Sequence, residues 1–325
     1  MAHDDTTDSI AKSSQAVRRI LVMRGGGLGD FILILPVLAA LRDHWPAAEV
    51  ELLSNPEMGE LARSSGYAES VRPIHDSEVA SLFFEHPLDT RSDLAITHYL
   101  QSFDLVVSFL CDQSGQLQEN IRLSVPHTLF VPPPAETGVH AASQFIATLK
   151  VMGILSEHFV PKLETSPQAR AAARETLLSL VPDPGSCPIA IHPGSGSDIK
   201  NWSIRGFAET ILWVKDELGY DPVVITGEAD AEPRRKLKQE LGSHFPPELS
   251  DMPLQRLASI LQRCRLLIGN DSGVSHLAAA LGTPVLALFG PTSPEVWRPL
   301  GLKVRILRFE EASTDQVHQE IQRLI

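Results

Sequence analysis

Residues able to handle a diphosphate gather in two loops of this chain. The segment Gly269-Asn270-Asp271-Ser272-Gly273 follows an apolar run at 266–268 and opens a small-residue helix that includes His276. A turn of that kind aims backbone N–H groups and the positive end of a helix dipole at one spot, which suits an anion. Asp271 reads as a cap or loop-orienting group. The loop 193–202 holds Ser195, Gly196 and Ser197, small enough for the backbone to approach a phosphate, and Lys200 adds a mobile positive charge. A turn with a solvated lysine is the competing reading. The spacing is not that of a Walker loop, so nucleoside-triphosphate hydrolysis is not indicated.

Three further side chains have two readings each. Asp30 follows the glycine run 25–29 at the start of a helix, where it is either an ordinary N-cap or an ionised carboxylate placed to take a proton from a hydroxyl. Glu228 follows an apolar strand by two residues, a place for an acid that binds a ribose diol or for a plain surface turn. Met252, ahead of a helix at 254–262, could pack on a base or on the core. No G-x-G-x-x-G fits the run at 25–29, which disfavours a nicotinamide cofactor even though Glu49 and Glu51 fall about where a ribose-binding acid would sit. The histidines show no H-E-x-x-H pair and no D-x-D element occurs, so neither a metal nor another cofactor is expected.

The elements that must position these residues come in two series. Apolar runs at 19–24, 50–53, 70–74, 105–109 and 128–131 alternate with potential helices at 30–44, 92–101 and 140–152. The pattern then restarts with strands at 189–192, 222–226, 265–268, 284–289 and 303–307, and a helix at 204–218. Two α/β series, each opening with a strand and a small-residue loop, predict two facing Rossmann-like domains with a ligand cleft between them. The expected boundaries are a flexible leader at 1–16, a first domain at 17–160, a proline-rich linker and helix at 161–185, and a second domain at 186–325. The last helix, 314–325, either packs on a neighbour or crosses back to the first domain.

Composition narrows the partners. With 28 basic against 40 acidic residues, the net charge of −12 argues against a broad grip on nucleic acid or an anionic membrane. The three cysteines are far apart and suggest neither a disulfide framework nor a zinc site. The longest apolar stretches are too short or too broken to span a bilayer. A cytoplasmic protein is expected, with at most peripheral contact at the inner face of the membrane.

Taken together, the motifs resemble the ADP-heptose:lipopolysaccharide heptosyltransferase family, glycosyltransferase family 9. The resemblance rests on 20–24 leading into Leu28-Gly29-Asp30 and Leu35-Pro36, on His192-Pro193-Gly194-Ser195 followed by Lys200-Asn201-Trp202, and on Asp271-Ser272-Gly273 with His276 and Phe289-Gly290-Pro291-Thr292. It implies an α/β GT-B fold, an acceptor held by the first domain, an ADP-sugar held by the second, and inversion at the anomeric carbon without a metal. Carried over, Asp30 is the general base, Lys200 the phosphate-contacting lysine, Glu228 the ribose-binding acid and Met252 the adenine contact. Asp271, Ser272 and Gly273 form the diphosphate turn, and Gly29, Ser195, Gly196, Ser197 and His276 complete the substrate-binding set. The implied partners are an ADP-sugar donor and a glycan or glycolipid acceptor. Departures fall at Gly25, Gly26 and Gly27, where many members carry serines, and at Ser203, which replaces a proline. Two alternatives stand beside a transferase: a non-catalytic nucleotide-sugar-binding protein, and another GT-B-like enzyme such as a sugar-nucleotide epimerase.

Overall fold

The computed structural model describes residues 17–84, 91–125, 127–157, 159–181 and 187–325. The expected leader, 1–16, and residues 182–186 of the expected linker lie outside them. The chain forms two compact units. The first comprises the described residues up to Gly26 together with Leu33–Ala135 and Ala141–Phe159, and the second comprises Gly27–Ile32, Glu136–His140 and Val160–Ile325. A single crossing near residue 160 is therefore too simple: two short earlier segments also belong to the second unit, because their contacts lie there.

The first unit is built on a five-stranded parallel sheet of β1 (Arg19–Arg24), β2 (Glu49–Ser54), β3 (Ser70–Pro73), β4 (Leu105–Ser108) and β5 (His127–Phe130), in the order β3-β2-β1-β4-β5. Leu21, Met23 and Val106 of its central strands pack under the helices Arg91–Gln101 and Gln116–Ser124 through Ile96, Leu100, Leu117 and Ile121. The loop after β1 turns through Gly26 at φ 87°, a conformation that glycine adopts without steric cost. The helix expected at 30–44, with an early interruption at Pro36, is two helices, Leu28–Ile32 and Leu35–His44. Pro36 explains the break, since its ring clashes with the carbonyl four residues earlier while fitting the first turn of the second helix.

The second unit holds a six-stranded parallel sheet: β6 (Ile189–His192), β7 (Pro222–Thr226), β8 (Glu248–Ser250), β9 (Leu266–Asn270), β10 (Val285–Phe289) and β11 (Val304–Arg308), ordered β11-β10-β9-β6-β7-β8. Every residue of β6, β7, β9 and β10 is buried, as expected of parallel strands covered on both faces. β6 and β9 pair in the register Ile189↔Leu266 to His192↔Gly269. The chain leaves them toward opposite halves of the sheet, so the loops after β6 and β9 face each other at a topological switch point, where ligands of open α/β sheets bind.

Among the elements that the sequence reading did not name, two shape this unit. β8 is a three-residue edge strand with one buried side chain, Leu249, and the helix Ala231–Leu241 is largely charged, so neither carries much apolar periodicity. The expected linker holds the helix Pro167–Leu180, which packs on Leu254–Leu261 within the second unit; Thr165 donates to Gln262 at 2.6 Å beside it. The last helix, Thr314–Leu324, packs on a neighbour of its own unit, Ile204–Asp216, burying Val317 and Ile321.

Trp202 locks the loop after β6 onto this core. Its ring is 6 % exposed, meets Phe207 edge to face at 5.1 Å and donates Nε1–H to the Ala312 carbonyl at 3.1 Å. Gly206 must be a glycine here, since a Cβ would stand 2.5 Å from the indole. Trp202→Ala should cost about 3–5 kcal/mol, as truncation of a buried aromatic does. Denaturant unfolding of the variant measures that loss, and a midpoint equal to that of the unmodified chain would contradict the packing role.

Candidate functional site

The sheet order explains why loops distant in sequence meet. Along one edge of the second sheet stand, in sequence of strands, the residues after β10 (Gly290, Pro291, Thr292), β9 (Asp271, Ser272, Gly273), β6 (Pro193 to Ser197), β7 (Glu228) and β8 (Met252). β7 and β8 pair at Thr226↔Ser250, so Glu228 and Met252 each lie two residues beyond one register pair. Glu228 is exposed and Met252 half-buried, both available to a ligand at that end of the edge.

Asn270, at the end of β9, is fully buried. Its Nδ2 donates to the carbonyls of Pro193 at 2.9 Å and Gly194 at 3.1 Å, while its Oδ1 accepts the Trp202 N–H at 2.8 Å. One side chain thereby fixes the β6 loop against β9. Ser195 and Ser197 form a small hydroxyl turn, with Ser195 Oγ donating to the Ser197 carbonyl at 2.7 Å. Gly196 is exposed at its tip.

Lys200 lies in the short turn Asp198–Lys200, and its Nζ donates to Asp271 Oδ2 at 2.9 Å. Thr292 Oγ1 donates to the same oxygen at 2.7 Å. Asp271 is 6 % exposed, so the two donors compensate a buried carboxylate, and Asp271 places the ammonium beside the turn it begins. Ser272 is the N-cap of the helix Gly273–Ala280, accepting from the Ser275 N–H. The helix start, the lysine and the hydroxyl turn are groups of the kind that bind an anion, brought to one place.

Asp30 sits in the first turn of Leu28–Ile32, with its Oδ2 accepting the Gly27 N–H at 3.3 Å. The carboxylate reaches back by three residues, as the acid of a capping box does, so the ordinary N-cap reading is corrected by position. This short helix lies directly on the Gly273–Ala280 helix. A Cβ on Gly273 would stand 2.7 Å from Leu28 Cβ and 3.0 Å from the Gly29 nitrogen, and one on Gly29 would stand 3.2 Å from the His276 ring. Gly273 and Gly29 therefore admit the close approach of the helix that carries Asp30 to the turn at Asp271–Gly273.

His276 is 5 % exposed, and among the described residues its Nδ1 has no hydrogen-bond partner. Burial lowers its pKa to about 4, against the opposing pull of the Asp271 and Asp30 carboxylates. The ring is neutral at pH 7, with one nitrogen able to donate a hydrogen bond and the other to accept one.

Sequence reasoning assigned no role to Asn270, His192, Asp230 or Thr292. His192 Nε2 lies 3.1 Å from Asp230 Oδ2, and Nδ1 lies 3.2 Å from Ser272 Oγ. The available signal was a polar residue at the end of each of two otherwise apolar strands, β6 and β9, which is where side chains face loops rather than core. Among the described residues no three His, Cys, Asp or Glu side chains cluster as a metal site, and no helix is long and apolar enough to cross a membrane.

Residues 127–324 match the family model described as glycosyltransferase family 9 (heptosyltransferase). Lipopolysaccharide heptosyltransferase 2 of Escherichia coli (strain K12) is 31 % identical over 113 residues, 34 % of this chain, so the chain spans about a third of that relative's length (32 %). The solved glycosyl transferase family 9 structure from Veillonella parvula DSM 2008 superposes with a TM-score of 0.77 at 20 % identity, covering 95 % of this chain and 98 % of the other. The structure of E. coli heptosyltransferase WaaC with ADP superposes with a TM-score of 0.69 at 19 % identity, covering 94 % and 100 %. The fold class is therefore the GT-B one expected from the sequence.

His276 sets a pH dependence. Its folded pKa lies below the unfolded value of 6.5, so the unfolded chain gains a proton between pH 6.5 and about 4 that the folded chain does not. Stability should fall over that window by up to about 3 kcal/mol, with no contribution above it and a levelling below. Urea unfolding at pH 7, 5.5 and 4.5 should show a steeper decline for the unmodified chain than for His276→Gln, and parallel declines would contradict it.

Proposed function

Because the chain belongs to glycosyltransferase family 9 (heptosyltransferase), we propose that it transfers a heptosyl or related glycosyl group from an ADP-sugar to a hydroxyl of a glycan or glycolipid acceptor such as a lipopolysaccharide core. The observation that carries this reading is the ion pair of Lys200 with Asp271 at the N-terminus of the Gly273–Ala280 helix, with Asp30 on the short helix packed against that same turn. A solved relative of the same fold holds ADP, and curated relatives act on lipopolysaccharide by name, which supports the donor and the acceptor class.

In the proposed reaction the acceptor hydroxyl attacks the anomeric carbon from the face opposite the diphosphate, and Asp30 takes the hydroxyl proton. The bond from the anomeric carbon to the phosphate oxygen breaks, and ADP leaves with the electron pair. Configuration is inverted in this single displacement. Negative charge growing on the leaving oxygen is met by Lys200 and by the N–H groups that begin the helix, fixed dipoles that need no reorganisation as charge develops. Together they do the work that a divalent ion does where one bridges the diphosphate, so the reading needs no metal. The nucleoside would lie along the β7 and β8 ends, with Glu228 at the ribose and Met252 at the adenine. Membrane contact, if the acceptor is a glycolipid, would be peripheral on the cytoplasmic side.

Thermal-shift measurements with ADP-, GDP- and UDP-sugars test the donor: stabilisation by the adenine nucleotide alone is expected, and stabilisation by a uridine nucleotide alone would sink the assignment. Asp30→Asn should keep ADP binding and lose transfer, because shape survives while basicity does not. Lys200→Ala should slow transfer roughly a hundredfold or more, as loss of an electrostatic stabiliser does. Unchanged turnover in either variant would remove that residue from the mechanism.

A further inference from the structure

Behind the diphosphate turn lies a buried chain of three polar side chains that ends at Ser272 of that turn, and neither His192 nor Asp230 has a role in the mechanism above. Asp230 is 5 %, His192 4 % and Ser272 8 % exposed. They come from the turn after β7, the end of β6 and the start of the Gly273–Ala280 helix. Asp230 Oδ2 accepts the Gly227 N–H at 2.8 Å and faces His192 Nε2 at 3.1 Å. His192 Nδ1 faces Ser272 Oγ at 3.2 Å. Gly194 makes room for the carboxylate, since a Cβ there would overlap Asp230 at 1.7 Å. Burial alone would raise the Asp230 pKa, but its hydrogen bonds with His192 and with the Gly227 N–H outweigh it and hold the carboxyl below its ordinary value.

An ionised carboxylate can only accept, so Nε2 carries the hydrogen it receives, and the tautomer is set by that bond. In the tautomer with hydrogen on Nε2 alone, Nδ1 is an acceptor, and the Ser272 hydroxyl donates to it. Ser275 cannot hold that hydroxyl as firmly: its own Oγ lies 3.4 Å away and already donates to the Asn270 carbonyl at 2.7 Å. The cap bond from the Ser275 N–H to Ser272 Oγ is also long, at 3.4 Å. His192 is therefore what fixes the direction of the Ser272 side chain.

We propose that His192, pinned by Asp230, is a positioning residue for the diphosphate turn, holding the Ser272 hydroxyl inward so that the first N–H groups of the helix stay open to the donor's phosphates. This rests on the reading of that turn as the diphosphate site. Without His192 the hydroxyl is free to leave its long bond from the Ser275 N–H and swing toward the N–H groups of Gly273 and Val274, in competition with the anion. The effect passes wholly through Ser272. It vanishes when residue 272 has no hydroxyl to misplace, which no general loosening of the fold would do.

The test is a double-mutant cycle read as ADP affinity by calorimetry. His192→Leu is combined with Asp230→Asn so that no buried carboxylate is stranded, and the pair is introduced with Ser272 intact and with Ser272→Ala. ADP binding should weaken roughly tenfold with Ser272 intact, the scale of one buried hydrogen bond, and by less than about twofold beside Ser272→Ala. His192→Asn, whose amide can still reach Ser272, should recover most of the affinity. Equal losses in both backgrounds would overturn the proposal. Nitrogen-15 NMR of the His192 ring in the unmodified chain needs neither ligand nor a folded double variant. It should show hydrogen on Nε2 and a hydrogen-bonded lone pair on Nδ1 that shifts in Ser272→Ala, whereas hydrogen on Nδ1 with a bare Nε2 would overturn the proposal. An unmodified chain that binds no ADP would tell against the adenine donor, and the NMR result would then decide the role of His192 by itself.

Discussion

The second unit depends on what one buried amide does at the end of β9. Asn270 supplies both donors and its acceptor to the loop after β6, binding the carbonyls of Pro193 and Gly194 and the N–H of Trp202. Those backbone groups lie away from water, and leaving any of them unpaired would cost about 1–3 kcal/mol. Asn270 thus turns a flexible Pro-Gly-Ser segment into a fixed wall. Lys200, two residues before Trp202 in the same loop, inherits its position from that wall and meets Asp271 across it. The loop that carries Lys200 is thus held from behind by neutral hydrogen bonds.

The second constraint is space. Three glycines at the site stand where a Cβ would collide: Gly194 against Asp230, Gly273 against Leu28, and Gly290 against the Phe309 ring at 2.5 Å. Each admits a neighbour that does chemical or structural work. Gly273 bears most on the proposed reaction, because the helix resting on it carries Asp30. The chain is acidic as a whole, at −12, yet the turn is locally suited to an anion. A lysine paired with a buried carboxylate, a hydroxyl turn and a helix start create that suitability over a few ångströms, well inside the distance at which net charge acts through salt solution.

Much of this was legible in the sequence. The apolar runs found the strands because parallel strands covered on both faces must be apolar throughout, and the loops after β6 and β9 stood out through their small residues. Pro36 announced the early interruption of the helix at 30–44, and the break falls just before it. What stayed hidden depends on pairings far apart in sequence. His192 and Asp230 are separated by 38 residues and Asn270 and Pro193 by 77, and no periodicity links them. The assignment of Gly27–Ile32 to the second unit was likewise invisible, since its flanking residues belong to the first. Met252 and Glu228 could be named from their places after strands, but only the β7–β8 register puts them side by side, and β8 is too short to be read from its residues.

The most direct measurement of the central claim is the anomeric configuration of the product. An ADP-heptose of known configuration is incubated with the chain and a lipopolysaccharide-core acceptor in the presence of EDTA, and the new linkage is examined by proton NMR. The account predicts ADP release in step with a glycoside of inverted configuration, at a rate that EDTA does not change. A retained configuration, or transfer that stops when EDTA is added and returns with a divalent ion, would contradict it.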